Sequence, residues 1–139
     1  MGEAETFGNP HAQEFVAKLI GLPHAGASDL IIGVLRRVEE SGEVLDATEA
    51  DQGRVAVALL LAEQAPSVLD GAPTLERLRS YLADLDTELT PARRTLCNGV
   101  VRRILLPDAN EWYAGWPSAE LRQSALASVR QLADLLADD

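Results

Sequence analysis

Apolar residues recur along this chain at intervals of three and four, and proline or glycine interrupts the recurrence at most of its breaks. Ala12, Phe15, Val16, Leu19 and Ile20 make one stripe of a helix that starts at Pro10 behind Asn9. Asn9 is a good N-cap, and proline at the first helical position loses only an N–H that has no helical partner anyway. Phe7 precedes this start and can fold back over it as an apolar cover. Gly21-Leu22-Pro23 breaks the chain, and Ser28-Asp29 reads as the cap of a second helix with Leu30, Ile31, Val34, Leu35 and Val38 on one face, ending at Gly42.

Thr48-Glu49-Ala50-Asp51 reads as a capping-box variant that opens a third helix reaching about Gln64, where Pro66 stops it. From Val55 onward this helix is apolar on nearly all sides, a pattern that belongs in the middle of a bundle. Ser67 to Pro73 reads as a loop. Thr74 then caps a fourth helix in which Leu75, Leu78, Leu82, Leu85 and Leu89 form a narrow seam, with Arg77, Arg79, Asp84, Asp86 and Glu88 off it. Two heptads are too few to sustain a coiled coil, so the seam reads as core packing. Thr90-Pro91 opens a fifth helix with Leu96, Cys97, Val100, Val101, Ile104 and Leu105 inward, closed by Pro107. A short helix and turn follow between Asp108 and Pro117, and Ser118 caps a last helix carrying Leu121, Ala125, Val129, Leu132 and Leu136 on one side, before an acidic tail, Asp138-Asp139, that should fray. The pattern predicts an all-α, compact single-domain bundle of about six or seven helices spanning residues 1–139.

Composition narrows the picture further. The apolar fraction is 47% with only 4% aromatic, so the core must be built from Ala, Leu and Val. A domain of 139 residues buries roughly two-thirds of its unfolded surface, enough for a core without staples. Cys97 is alone, which excludes an intramolecular disulfide and fits a reducing compartment. Placed mid-stripe, it should be a small buried hydrophobe and not a nucleophile. No secretory signal pattern opens the chain, and its longest apolar run, Val55 to Ala62, is far short of the roughly 20 residues that span a bilayer. These features predict a cytoplasmic protein with no membrane contact. Twelve basic against twenty-two acidic residues give a net charge of −10, which repels a phosphate backbone unless the basic residues gather on one face. Arg93, Arg94, Arg102 and Arg103 fall at separate azimuths of the fifth helix, so nucleic-acid binding is not expected.

Candidate chemistry is sparse. His11 and His24 are the two histidines, and the His11-x-x-Glu14 pair shares a helical face but is one pair, too few ligands for a metal site. No phosphate-binding glycine loop, nucleophile elbow or Cys-x-x-Cys occurs, so no catalytic, cofactor or metal residues are assigned. An enzyme would have to use scattered carboxylates such as Glu14, Glu49 and Asp51. Both tryptophans and one of two tyrosines cluster as Trp112, Tyr113 and Trp116. Such rings either seal the end of a bundle or anchor an interface, and their setting suggests Trp112 as the buried ring and Trp116, between Gly115 and Pro117, as the more exposed. Together with Phe7, Asn9 and Glu14 they form the candidate binding surface.

The stretch Phe7-x-Asn9-x-x-Ala12-x-Glu14-Phe15 resembles the opening motif of an uncharacterised bacterial family, the domain of unknown function numbered 4259. Its members begin Met-Gly-x-Trp-Gly and continue Phe-x-Asn-Asp-x-Ala-x-Asp-Phe. Met1-Gly2 is kept here, the Trp-Gly pair is absent with Glu5 and Thr6 near its place, and Asn-Asp has become Asn9-Pro10. The segments Gly42 to Ala50 and Arg103 to Trp112 are similar too, and Ala72 to Leu89 matches least. The resemblance implies a small all-helical domain and brings no activity with it. The sequence therefore points to a non-catalytic binding protein whose ligand is a protein, an immunity- or antitoxin-like domain in the sharpest form, with an acidic face for a basic partner. The alternative is a small-molecule-binding protein or enzyme with a pocket near the N-terminal turn and the Trp112/Trp116 segment. The hydrophobic seams leave a homodimer open.

Overall fold

The computed structural model describes residues 7, 10–40, 45–69, 72, 75–85, 87–105 and 118–137. Within them lie α1 (Pro10–Ile20), α2 (His24–Glu39), α3 (Ala47–Leu61), a 3-10 turn (Pro66–Leu69), α4 (Leu75–Ala83), α5 (Pro91–Ile104) and α6 (Ala119–Ala137), with no strand among the described residues. The all-α bundle that the apolar spacing predicts is the fold observed. No described helix is long and apolar enough to cross a membrane.

α3 runs through the middle, as its all-round apolarity predicts. Every residue from Gly53 to Leu61 is buried, and the helix touches α1, α2, α5, α6 and the 3-10 turn. Close approach is made at Gly53, where an added Cβ would stand 3.2 Å from both Val38 Cγ2 on α2 and Val100 Cγ1 on α5. α2 and α5 also meet each other, the Glu39 stem lying over Gly99. α1 buries Ala12, Phe15, Val16 and Leu19, the stripe read from its spacing, and Phe7 is 1% exposed, within the same core. From α4, Tyr81 donates its hydroxyl to the Leu22 carbonyl at 2.5 Å and sets its ring 4.9 Å from that of His24, tying α4 to the α1–α2 connection. Arg94 of α5 donates to the Leu136 carbonyl near the C-terminal end of α6, where the helix dipole favours a cation.

Two caps stand where the sequence puts them: Thr90 Oγ1 accepts from the Arg93 N–H at 3.2 Å and Ser118 Oγ from the Leu121 N–H at 3.1 Å. Two others move. α2 begins at His24, a turn before Ser28-Asp29: Pro23, at φ −59° and ψ 151°, already points the chain into the helix, and its carbonyl accepts the Ala27 N–H at 3.0 Å. α3 is capped by Asp46 and not by Thr48; the Asp46 carboxylate accepts the Glu49 N–H at 2.8 Å from extended backbone, leaving Thr48 inside the first turn. α3 also ends at Leu61, short of Gln64.

The leucine seam is not one helix. Beyond Ala83 the bonds tighten to the three-residue pattern, Asp84 N–H to Tyr81 O and Leu85 N–H to Leu82 O, so Leu85 reaches the core from a turn. The stretch read as a loop after Pro66 contains the 3-10 turn, anchored by Leu69 at 2% exposure. Asn9, Gly42, Thr74, Pro107, the segment from Asp108 to Pro117 and the tail Asp138-Asp139 lie outside the described residues. Cys97 is fully buried, and burial pushes its thiol up from 9.0 to about 12 despite the nearby Arg94 charge.

Two expectations follow from this packing. Gly53→Val should cost about 1–3 kcal/mol by overpacking, whereas Gly33→Ala, at an exposed helical position with nothing within 4 Å of the new Cβ, should gain about 0.5–1 kcal/mol; urea denaturation reads both. With a pKa near 12, the Cys97 thiol should stay neutral and unreactive toward an aromatic disulfide reagent at pH 8. Labelling of the native protein should proceed only at its unfolding rate, and fast labelling would contradict the buried placement.

Candidate functional site

The start of α3 carries polar side chains into the space beneath α1. Asp51, 5% exposed, sits with Oδ2 at 3.0 Å from Nδ1 of His11, while its Oδ1 accepts from Arg54 Nη1 at 3.2 Å. Arg54 has no exposed surface and extends Nη2 toward Ser128 Oγ of α6 at 3.4 Å. At the open end, Thr48 Oγ1 lies 3.3 Å from His11 Nε2. A polar chain thus runs Thr48–His11–Asp51–Arg54–Ser128 from the surface to the far side of the bundle. Burial pulls the Arg54 guanidinium below its ordinary value, and the charge and hydrogen bond of Asp51 oppose that pull.

The order hydroxyl, imidazole, carboxylate has the connectivity of an activated nucleophile. Arg54 gives a simpler reason for it. A buried guanidinium needs a carboxylate whatever chemistry is present, because an uncompensated charge there costs several kcal/mol. Both His11 nitrogens and both Asp51 oxygens are engaged within the protein, so the cluster clasps α1 and α6 to α3.

Beside the clasp is a groove of about 280 Å³ between α1, α2 and α3. One turn along α1 from His11 stands Glu14, with Lys18 a turn further; one turn along α3 from Thr48 stands Gln52; Arg37 faces them from α2. Phe15 and Val34, 3% and 2% exposed, form the floor, with Leu30 at the wall. The groove exists because α1 and α2 each rest on α3 more extensively than on one another. At its edge the Glu49 carboxyl is raised above its usual value by burial first and by Asp46 next, while Arg37 works in the opposite direction. A second cavity, about 370 Å³, lies between the end of α3, the 3-10 turn and α4; Leu59, Leu69, Leu82 and Leu85 line it, with Glu63 and Arg79 also present.

Of the residues proposed from sequence, Glu14 is exposed and lines the groove. Phe7 is in the core and offers no surface. Asn9, Trp112, Tyr113 and Trp116 lie outside the described residues. His11 and Glu14 share a face of α1 but part company, His11 turning to Asp51; no group of three metal-ligating side chains occurs among the described residues. Sequence reasoning missed Arg54, Lys18, Arg37 and Gln52. For Arg54 a signal was present: Asp51 and Arg54 stand three apart at the start of a helix otherwise apolar all round.

Removing the carboxylate that faces the buried guanidinium, Asp51→Ala, should cost about 3–5 kcal/mol. Thr48→Ala, at the exposed end of the chain, should cost under about 1 kcal/mol. The order of the two midpoints in urea is the test, and equal midpoints would remove Asp51 from its place as the centre of the clasp.

The family model described as Domain of unknown function (DUF4259) matches residues 3–128. No curated protein and no solved structure matches the chain. The match covers most of the sequence, in accord with the motifs at Phe7 to Phe15 and Gly42 to Ala50, and the chain belongs to the DUF4259 family.

Proposed function

We propose that this chain is a non-catalytic binding domain whose partner is a protein with a basic face. The observation that carries the reading is the placement of its carboxylates. Asp29, Glu40, Glu63, Glu76, Glu120 and Asp134 are all exposed, and none of these six forms an ion pair with another described residue. On a chain of net charge −10, these exposed carboxylates act outward, where complementary charge steers and accelerates encounter. A domain that neutralises a basic toxin, as an immunity protein or antitoxin does, suits this surface. The same carboxylates oppose binding to nucleic acid, and the lone reduced Cys97 supports a cytoplasmic setting in a bacterial cell. The groove at Glu14 favours a second reading, a small-molecule-binding protein or enzyme acting near the N-terminal turn.

Copurification from native lysate tests the two. A stoichiometric protein partner that elutes with about 0.5 M salt, and that binds on the order of tenfold more weakly once Asp29, Glu40, Glu63 and Asp134 are replaced together by lysine, is the expected result. A partner insensitive to both changes would refute the electrostatic reading. A bound metabolite without any protein would favour the second.

A further inference from the structure

We propose that α4 is a flap, latched by Tyr81, which undocks while the other helices stay folded and so opens the cavity of about 370 Å³ beside it. The bundle is organised around α3, and α4 is the exception. Among the described elements α1, α2, α5, α6 and the 3-10 turn all pack on α3, whereas α4 packs on α1 and hardly touches α3. The cavity occupies that gap, with Leu59 of α3 on one side and Leu82 and Ala83 of α4 on the other. Glu63 and Arg79, both exposed, also border it, and no ion pair joins them across it.

Few interactions hold α4 down. Leu78 and Leu82 are its buried residues. The Tyr81 hydroxyl, donated to the Leu22 carbonyl at 2.5 Å, makes the one side-chain hydrogen bond from α4 to another described residue. The Tyr81 ring meets that of His24 at the same point, 4.9 Å between centroids, so the latch is concentrated in one side chain. Leu69 before α4 and Leu85 after it are 2% and 8% exposed, which confines release to the stretch between them. A segment with so few buried apolar contacts opens at lower cost than the whole domain. Its nine residues are too few to stay helical in water without packing, so α4 melts as a unit when it undocks. Opening withdraws Leu82 from the cavity and makes Leu59, which has no exposed surface when α4 is docked, reachable from solvent.

Native-state hydrogen exchange on the full chain tests the flap. The amides of Tyr81, Leu82 and Ala83 in α4 should be at least about 100-fold less protected than those of Val57 to Leu60 in α3. Tyr81→Phe removes the latch hydroxyl and should speed exchange in α4 about fivefold. Val100→Ala, which loosens the packing at Gly53 near the opposite end of α3, should speed exchange in α3 at least about tenfold and leave α4 unchanged, because that packing survives when α4 alone opens. Equal protection of α4 and α3, or an acceleration of both by Val100→Ala, means that α4 opens only with the whole domain and overturns the proposal. Exchange in α4 that is indifferent to Tyr81→Phe overturns the latch. Leu59→Cys reads access to the cavity, with the buried Cys97 as internal control for global unfolding. The introduced thiol should react with an aromatic disulfide reagent well before Cys97, and faster still when Tyr81→Phe is added. Simultaneous labelling of the two thiols, or early labelling that Tyr81→Phe leaves unchanged, overturns gating of the cavity by α4.

Discussion

A guanidinium in the interior constrains where the neighbouring helices can lie. Arg54 has no exposed surface, and its charge must meet acceptors inside the bundle. Asp51 supplies one from the same helix, Ser128 another from α6, and the remaining oxygen of Asp51 faces His11 at the start of α1. Such an ion pair contributes little net stability, since an apolar replacement of similar volume is often as good. Its consequence is selectivity. An arrangement that carries α1 or α6 away from this point opens the polar chain, so the pair fixes which helices surround α3 more than how tightly they hold.

Packing against α3 is governed by small residues. Gly53 lets Val38 and Val100 close in from two sides, and the alanines of α3 lie among leucines and valines that are buried all round. A core this poor in aromatic rings has little bulk with which to fill irregular gaps. α2 and α5 both pack on α3, whereas α1 and α2 meet only slightly. The groove at Glu14 is what that divergence leaves open, and its floor is apolar because the residues beneath it, Phe15 and Val34, serve the core first.

The charge distribution divides along the same line. One arginine and one aspartate are consumed inside the bundle, and exposed carboxylates, from Asp29 on α2 to Asp134 on α6, are spread over its outside. Lys18 and Arg37, both exposed, line the same groove as Glu14.

Much of the fold was legible in the sequence because it is local. The three-and-four spacing of α1, the caps at Thr90 and Ser118, and the burial of α3 and Cys97 each depend on residues within a few turns. The exact starts of α2 and α3 were less legible, since Pro23 and Asp46 compete with neighbours of similar capping chemistry. Glu14 was marked as a site residue by its motif, but its partners across the groove were not, and Phe7, marked beside it, belongs to the core. His11 and Asp51 are forty positions apart, Lys18 and Arg37 nineteen, and Arg54 and Ser128 seventy-four. Periodicity reports which face of a helix is apolar and stays silent on which helix covers it. The sequence by itself determined the helices and the residues they bury; the tertiary structure decided which polar groups meet, because those meetings depend on how helices distant in the chain cross over α3.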